Sequence, residues 1–114
     1  MAGSLNTLLV VRAVGTGTSE TYTMLRAATF MEGVVFATNG GVGTVIIQNG
    51  ATPITAPLDP NATDMAVKRP AAGGLIQDTA KALAVGAILT FTVSAGTLNY
   101  ESYAYLYPTP GVAG

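Results

Sequence analysis

Cysteine, histidine and tryptophan are missing from this chain altogether, and charged residues make up only 10% of its 114 positions. Without cysteine there is no disulfide framework and no thiol nucleophile, and the redox compartment leaves no trace in the sequence. Without histidine the commonest general base and the commonest transition-metal ligand are gone together. The few charges nearly cancel, five Lys and Arg against six Asp and Glu for a net charge of -1. They are also scattered, with only Lys68 and Arg69 adjacent among the basic residues. Nucleic-acid binding driven by phosphate neutralisation is therefore not expected. Soluble domains ordinarily carry about a quarter charged residues. A chain this poor in charge covers itself with Thr, Ser, Asn, Gly and Ala, or hides part of its outside in an assembly.

Long apolar runs are missing too. The start, Met1 to Leu9, has no basic n-region, and "LLVV" at Leu8 to Val11 stops at Arg12, so neither a targeting segment nor a membrane span is read there. The expectation is a single soluble domain over residues 1–114, made inside a cell and large enough to bury a core without metal or disulfide.

The residues that remain for catalysis are few. No Ser-x-x-Lys spacing links Ser4, Ser19, Ser94 or Ser102 to Lys68 or Lys81. The acids Glu20, Glu32, Asp59, Asp64, Asp78 and Glu101 are read as solvated turn charges rather than as the carboxylate pair that glycoside hydrolysis needs. "DPNATD" at Asp59 to Asp64 opens like a calcium loop, but Asp64 stands where such a loop wants glycine and Pro70 where it wants glutamate. Its "NAT" is a formal glycosylation acceptor with no secretory signal to give it meaning. "GTG" at Gly15 to Gly17 and "NGGVG" at Asn39 to Gly43 neither open a helix nor carry a phosphate-loop lysine, and read as turns. No enzyme, cofactor or metal site is assigned.

What is present is the period of strands. In "AILTFTVSA", Ala87, Leu89, Phe91, Val93 and Ala95 share one face while Thr90, Thr92 and Ser94 share the other, the mark of a half-buried strand. "GVVFATNGG" and "VGTVIIQNG" at Gly33 to Gly50 read as two strands joined at Asn39-Gly40, a hairpin signal. Earlier strands are expected at Leu5 to Val14 and Thr21 to Phe30, around the turn "GTGTSE". The first is apolar on nearly both faces, so residues 1–14 are read either as a strand covered on both sides or as an arm that contacts a neighbouring chain. Prolines 53, 57, 60 and 70 make Ala51 to Gly74 a long connection with one edge strand near Met65 to Arg69. "LIQDTAKALAVGAILTFTV" reads as strand, turn and strand. About seven or eight short strands with no long helix describe an all-β chain, a two-sheet β-sandwich.

The last stretch, "NYESYAYLYPTP", poses the functional question. Tyr103, Tyr105 and Tyr107 fall on one face; Ser102, Ala104 and Leu106 fall on the other. The second set looks too small to fill a core alone, which favours tyrosines that partly cover the core and partly reach its open end. Inward tyrosines are ordinary cross-strand partners, whereas outward ones are a stripe suited to a subunit interface. Arg12 and Arg26 sit within strand patterns and pair either with Glu101 or Glu32 or with another protein.

From Gly33 to Pro110 the succession "GVVFATNGGVGTVIIQNGATPIT" and "LAVGAILTFTVSAGTLNYESYAYLYPTP" resembles the small jelly-roll decoration, or cement, proteins of tailed bacteriophage capsids. Ala87 stands where that layout usually has an acid after the glycine. The resemblance implies a jelly-roll sandwich on the outer surface of the virion head, made in the bacterial cytoplasm. It also implies a homotrimer that bridges major capsid protein subunits, with no nucleic-acid or membrane partner. The contacts expected on this reading fall on Leu5, Leu8 and Val10 of the first strand and on Tyr103, Tyr105 and Tyr107 of the last. The alternative is a receptor- or glycan-binding module of a phage tail or fibre, where an aromatic row serves sugars instead of subunits.

Overall fold

A computed structural model describes residues 8–38, 41–55, 57–60, 67–68 and 80–109. Within them lie nine strands: β1 (Leu9–Thr16), β2 (Glu20–Thr23), β3 (Ala28–Ala37), β4 (Val45–Asn49), β5 (Thr52–Pro53), β6 (Val67–Lys68), β7 (Ala82–Leu83), β8 (Ile88–Val93) and β9 (Asn99–Pro108). All pairings are antiparallel. One sheet has the order β1-β9-β3-β6, with β7 also on β3, and the other has the order β2-β8-β4-β5. Among the described residues there is no helix, so none that is long and apolar enough to cross a membrane.

The two sheets enclose one core, built from the alternation read in the sequence. Leu89 and Phe91 of β8 are fully buried, with Ala87 and Val93 packed beside them. Val45 and Ile47 of β4 join them, and Phe30, Tyr100 and Leu106 come from the five-stranded sheet. Each such aliphatic or aromatic side chain contributes about 1.5–3 kcal/mol by leaving water. The proline-rich connection adds more core than its composition suggests. Ile54 and Leu58 are buried, Leu58 forms a bridge with Val45, and Thr55 Oγ accepts the Ile47 N–H at 3.2 Å. The expected edge strand in this connection is β6, which pairs with β3 opposite Val35 and Phe36.

Three expectations need correction. The stretch Thr21 to Phe30 is two strands, because the chain bends at Leu25 and Arg26 to pass from the four-stranded to the five-stranded sheet. Met24 holds that bend by exchanging backbone bonds with Ala87 and Gly86. Secondly, β3 and β4 do not form a hairpin. Asn39 and Gly40 lie outside the described residues, but the strands they join belong to different sheets. Thr38 bonds Asn99 on one side, and Thr44 bonds Ser94 on the other, so each strand is drawn to its own partner. Thirdly, the first strand runs two residues past Val14, through Gly15 and Thr16. Gly15 is required there because an added Cβ would lie 2.4 Å from the Tyr100 ring across the ladder. The turn that follows needs a left-handed residue, met by Gly17 at φ 77°.

Candidate functional site

β9 is the central partner of β1 and β3, so its two faces decide what the five-stranded sheet hides and what it displays. Its burial alternates without a break: Tyr100, Ser102, Ala104, Leu106 and Pro108 are buried, while Tyr103 and Tyr105 are half-buried and Tyr107 is exposed. The expectation that the three tyrosines partly cover the core is therefore overturned. The inner face is filled because Tyr100 belongs to it, Phe30 stands beside Leu106 on the neighbouring β3, and Ile47 joins the same core from the opposite sheet. Ser102 tolerates burial by donating its hydroxyl to the Val34 carbonyl at 2.8 Å.

The outer face assembles from three strands. β1 sends Leu8, Val10, Arg12 and Val14 outward, since its inward set is Leu9, Val11 and Ala13. Across the ladder Val10 stands opposite Tyr105, Arg12 opposite Tyr103 and Val14 opposite Glu101. On the other side β3 places Glu32 opposite Tyr105, Val34 opposite Tyr103 and Phe36 opposite Glu101. A bulge at Met31 makes this possible. Strict alternation would put Phe30, Glu32 and Val34 on one face. The extra residue turns Phe30 inward and leaves Glu32 outside.

The result is an aromatic and aliphatic surface with one polar cluster. Tyr103 meets Phe36 edge to face, with centroids 6.2 Å apart, and stacks on Tyr105 at 6.4 Å. Val10 (52%), Val14 (47%), Met31 (45%) and Tyr107 (47%) remain largely open to water. Leu8, at the start of the same row, is exposed as well. Leu5 lies outside the described residues. Arg12 Nε donates to Glu101 Oε2 at 2.7 Å, and the Tyr103 hydroxyl donates to the same oxygen. Hydrogen bonds from Tyr103 and then Arg12 hold the Glu101 carboxyl below its ordinary pKa. The bond to Glu101 likewise raises Arg12 above its own. Arg12 and Glu101 thus stay ionised and neutralise each other within this cluster, and Glu32 adds a second acid to the same face beside Tyr105. Arg26, the other arginine considered for pairing, has no ion-pair partner among the described residues.

Chemistry is sparse elsewhere. Among the described residues no three acidic side chains gather as a metal site would require. Asp64 and Asp78 lie outside the described residues. Comparison with family models, with curated proteins and with solved structures finds no match to this chain.

Proposed function

We propose that this chain is a structural protein of a tailed-phage virion, a jelly roll that binds the outside of the head and bridges major capsid protein subunits. The observation that carries the proposal is the outward row Tyr103, Tyr105 and Tyr107, flanked by exposed Val10, Val14 and Met31 on one sheet face. Tyrosine offers a large rigid contact area at low entropic cost and keeps a hydroxyl for bonding, which suits it to protein interfaces.

The strand order supports the jelly-roll part of the reading. With the short β7 set aside, β1 pairs β9, β2 pairs β8, β3 pairs β6 and β4 pairs β5. That nesting is what one long antiparallel hairpin gives when it is rolled so that its pairs alternate between two sheets. The low charge supports the assembly part, because a chain with only 10% charged residues has few charges to place on its surface, which is then better matched to neighbouring chains than to bulk water. Copies repeated by symmetry, as a homotrimer and then over a shell, let modest contacts add. A protein that binds only the mature lattice stabilises that lattice by mass action.

A glycan-binding module of a tail or fibre is the rival. It needs ring faces open to sugar, whereas Tyr103 and Tyr105 turn their faces to each other at an interplanar angle of 16°. Co-sedimentation with heads of the phage that encodes the chain, stripped of their outer proteins, tests the proposal. Saturable binding that is lost on replacing Tyr103, Tyr105 and Tyr107 with Ser is the expected result. Binding of glycans on an array, with none to heads, would replace this reading by the rival.

A further inference from the structure

The edge of the five-stranded sheet raises a separate question from its face. β1 is the outermost strand and pairs with β9 over eight successive positions, Leu9 to Thr16, without a register shift. Its other side is a row of backbone donors and acceptors that no described strand takes up. Sheets normally blunt such edges with short strands, prolines, bulges or charges. Among the described residues the other sheet ends follow that rule: β6 spans two residues, β5 has two including Pro53, and β2 has four. β1 alone among them is long, regular and free of proline, and its one charge, Arg12, is tied to Glu101.

Two further observations lie beside this edge. Where β1 meets β2 there is an open slot of about 240 Å³, lined by Leu9, Val10 and Val11 with Tyr22, Met24 and Leu25. It is smaller than the roughly 300–1,000 Å³ usual for a small-molecule site, and is of a size for an apolar side chain. Arg26 completes the lining, half-buried, with no carboxylate in the slot to meet it.

We infer that β1 receives an added strand from a different protein: an extended acidic segment that seats an apolar side chain in the slot and sets a carboxylate against Arg26. The backbone edge supplies affinity, the slot supplies side-chain selection, and the unmatched cation selects charge. A second copy of this chain pairing through its own edge is a poorer occupant, because β1 reads LVVRAVGT and carries an arginine but no acid to offer Arg26. The inference uses the edge and not the tyrosine face, so it holds or fails independently of head binding.

The test uses the full chain and capped synthetic peptides of about ten residues, alternating Thr with Val around a central Leu and carrying Asp, Asn or Lys beside it. Amide exchange and chemical shifts report the site. The expected result is that the Asp peptide protects β1 amides and binds about tenfold more tightly than the Lys peptide. Arg26→Gln should then abolish the preference while leaving the fold unchanged. Absence of β1 protection by the Asp peptide overturns the inference, as does equal affinity for all three peptides. Protection of β1 that rises with the concentration of the chain alone also overturns it, by making the occupant a second copy.

Discussion

Exchanging adjacent residues of β9 should have opposite consequences, because Tyr105 and Leu106 lie on opposite faces of one sheet. Leu106 is fully buried, stands opposite Leu9 and Phe30 in the ladders, and belongs to the core cluster. Truncating it to Ala removes its transfer energy and leaves a cavity, costing about 2–5 kcal/mol. Tyr105 is half-buried, stands opposite Val10 and Glu32, and stacks on Tyr103. Tyr105→Ser therefore loses one set of cross-strand contacts and one ring pair, about 0.5–1.5 kcal/mol. A domain of this kind has only about 5–15 kcal/mol in total, so the first change endangers the fold and the second does not. Equilibrium urea unfolding of the dilute chain measures both, with the midpoint falling far more for Leu106→Ala. If Tyr105→Ser costs as much as Leu106→Ala, the tyrosines are core residues and the outer face described here is wrong. Association should show the reverse ranking, since Tyr105 is the residue offered to a partner.

Other consequences follow from the same geometry. Burial, and then the charge of Glu20, pushes the Tyr100 phenol from its ordinary 10.0 up to about 12, and its hydroxyl donates to the Thr18 carbonyl at 2.8 Å. Because the folded value is the higher one, stability is fully present below about pH 10 and declines towards pH 12, by an amount on the order of 2 kcal/mol. Denaturation monitored along an alkaline series should show this limb, and Tyr100→Phe should remove it. Glu101 has its pKa lowered on folding, so its contribution is present above the ordinary carboxyl range and is lost as pH falls through the folded value. Glu101→Gln should abolish that acid limb in the same assay. Gly33→Ala would place a Cβ 2.4 Å from Ile47 Cδ1 and 3.0 Å from Phe30 Cζ, between the two sheets. Thermal unfolding should register the overpacking as a loss of about 1–3 kcal/mol.

The alternation of β8 was legible because every inward position from Ala87 to Val93 is apolar and most of the outward ones are not. The edge strand β6 was legible from prolines on both sides of it. Sheet membership was not. "ATNGGVG" carries the signal of a tight hairpin, yet partners distant in sequence, Asn99 and Ser94, divide the flanking strands between sheets. The face of the tyrosines was misjudged by weighing three small inward residues in isolation. Tyr100, two positions before Ser102 on the same face, supplies the missing volume, and Gly15 leaves room for its ring. The bulge at Met31 has no marker in the sequence beyond a glutamate that period two would otherwise have buried near Phe30. Arg12 was correctly paired with Glu101 as one of its options, and the register of β1 on β9 is the reason.

The central claim is that the outer face of the five-stranded sheet is a protein interface of an assembling structural protein. Static light scattering over a concentration series measures it most directly, on the chain and on the variant with Tyr103, Tyr105 and Tyr107 all changed to Ser. The account predicts a stable species of three chain masses for the former and a folded species of one chain mass for the latter. The same mass for both, with the fold intact in each, would contradict it.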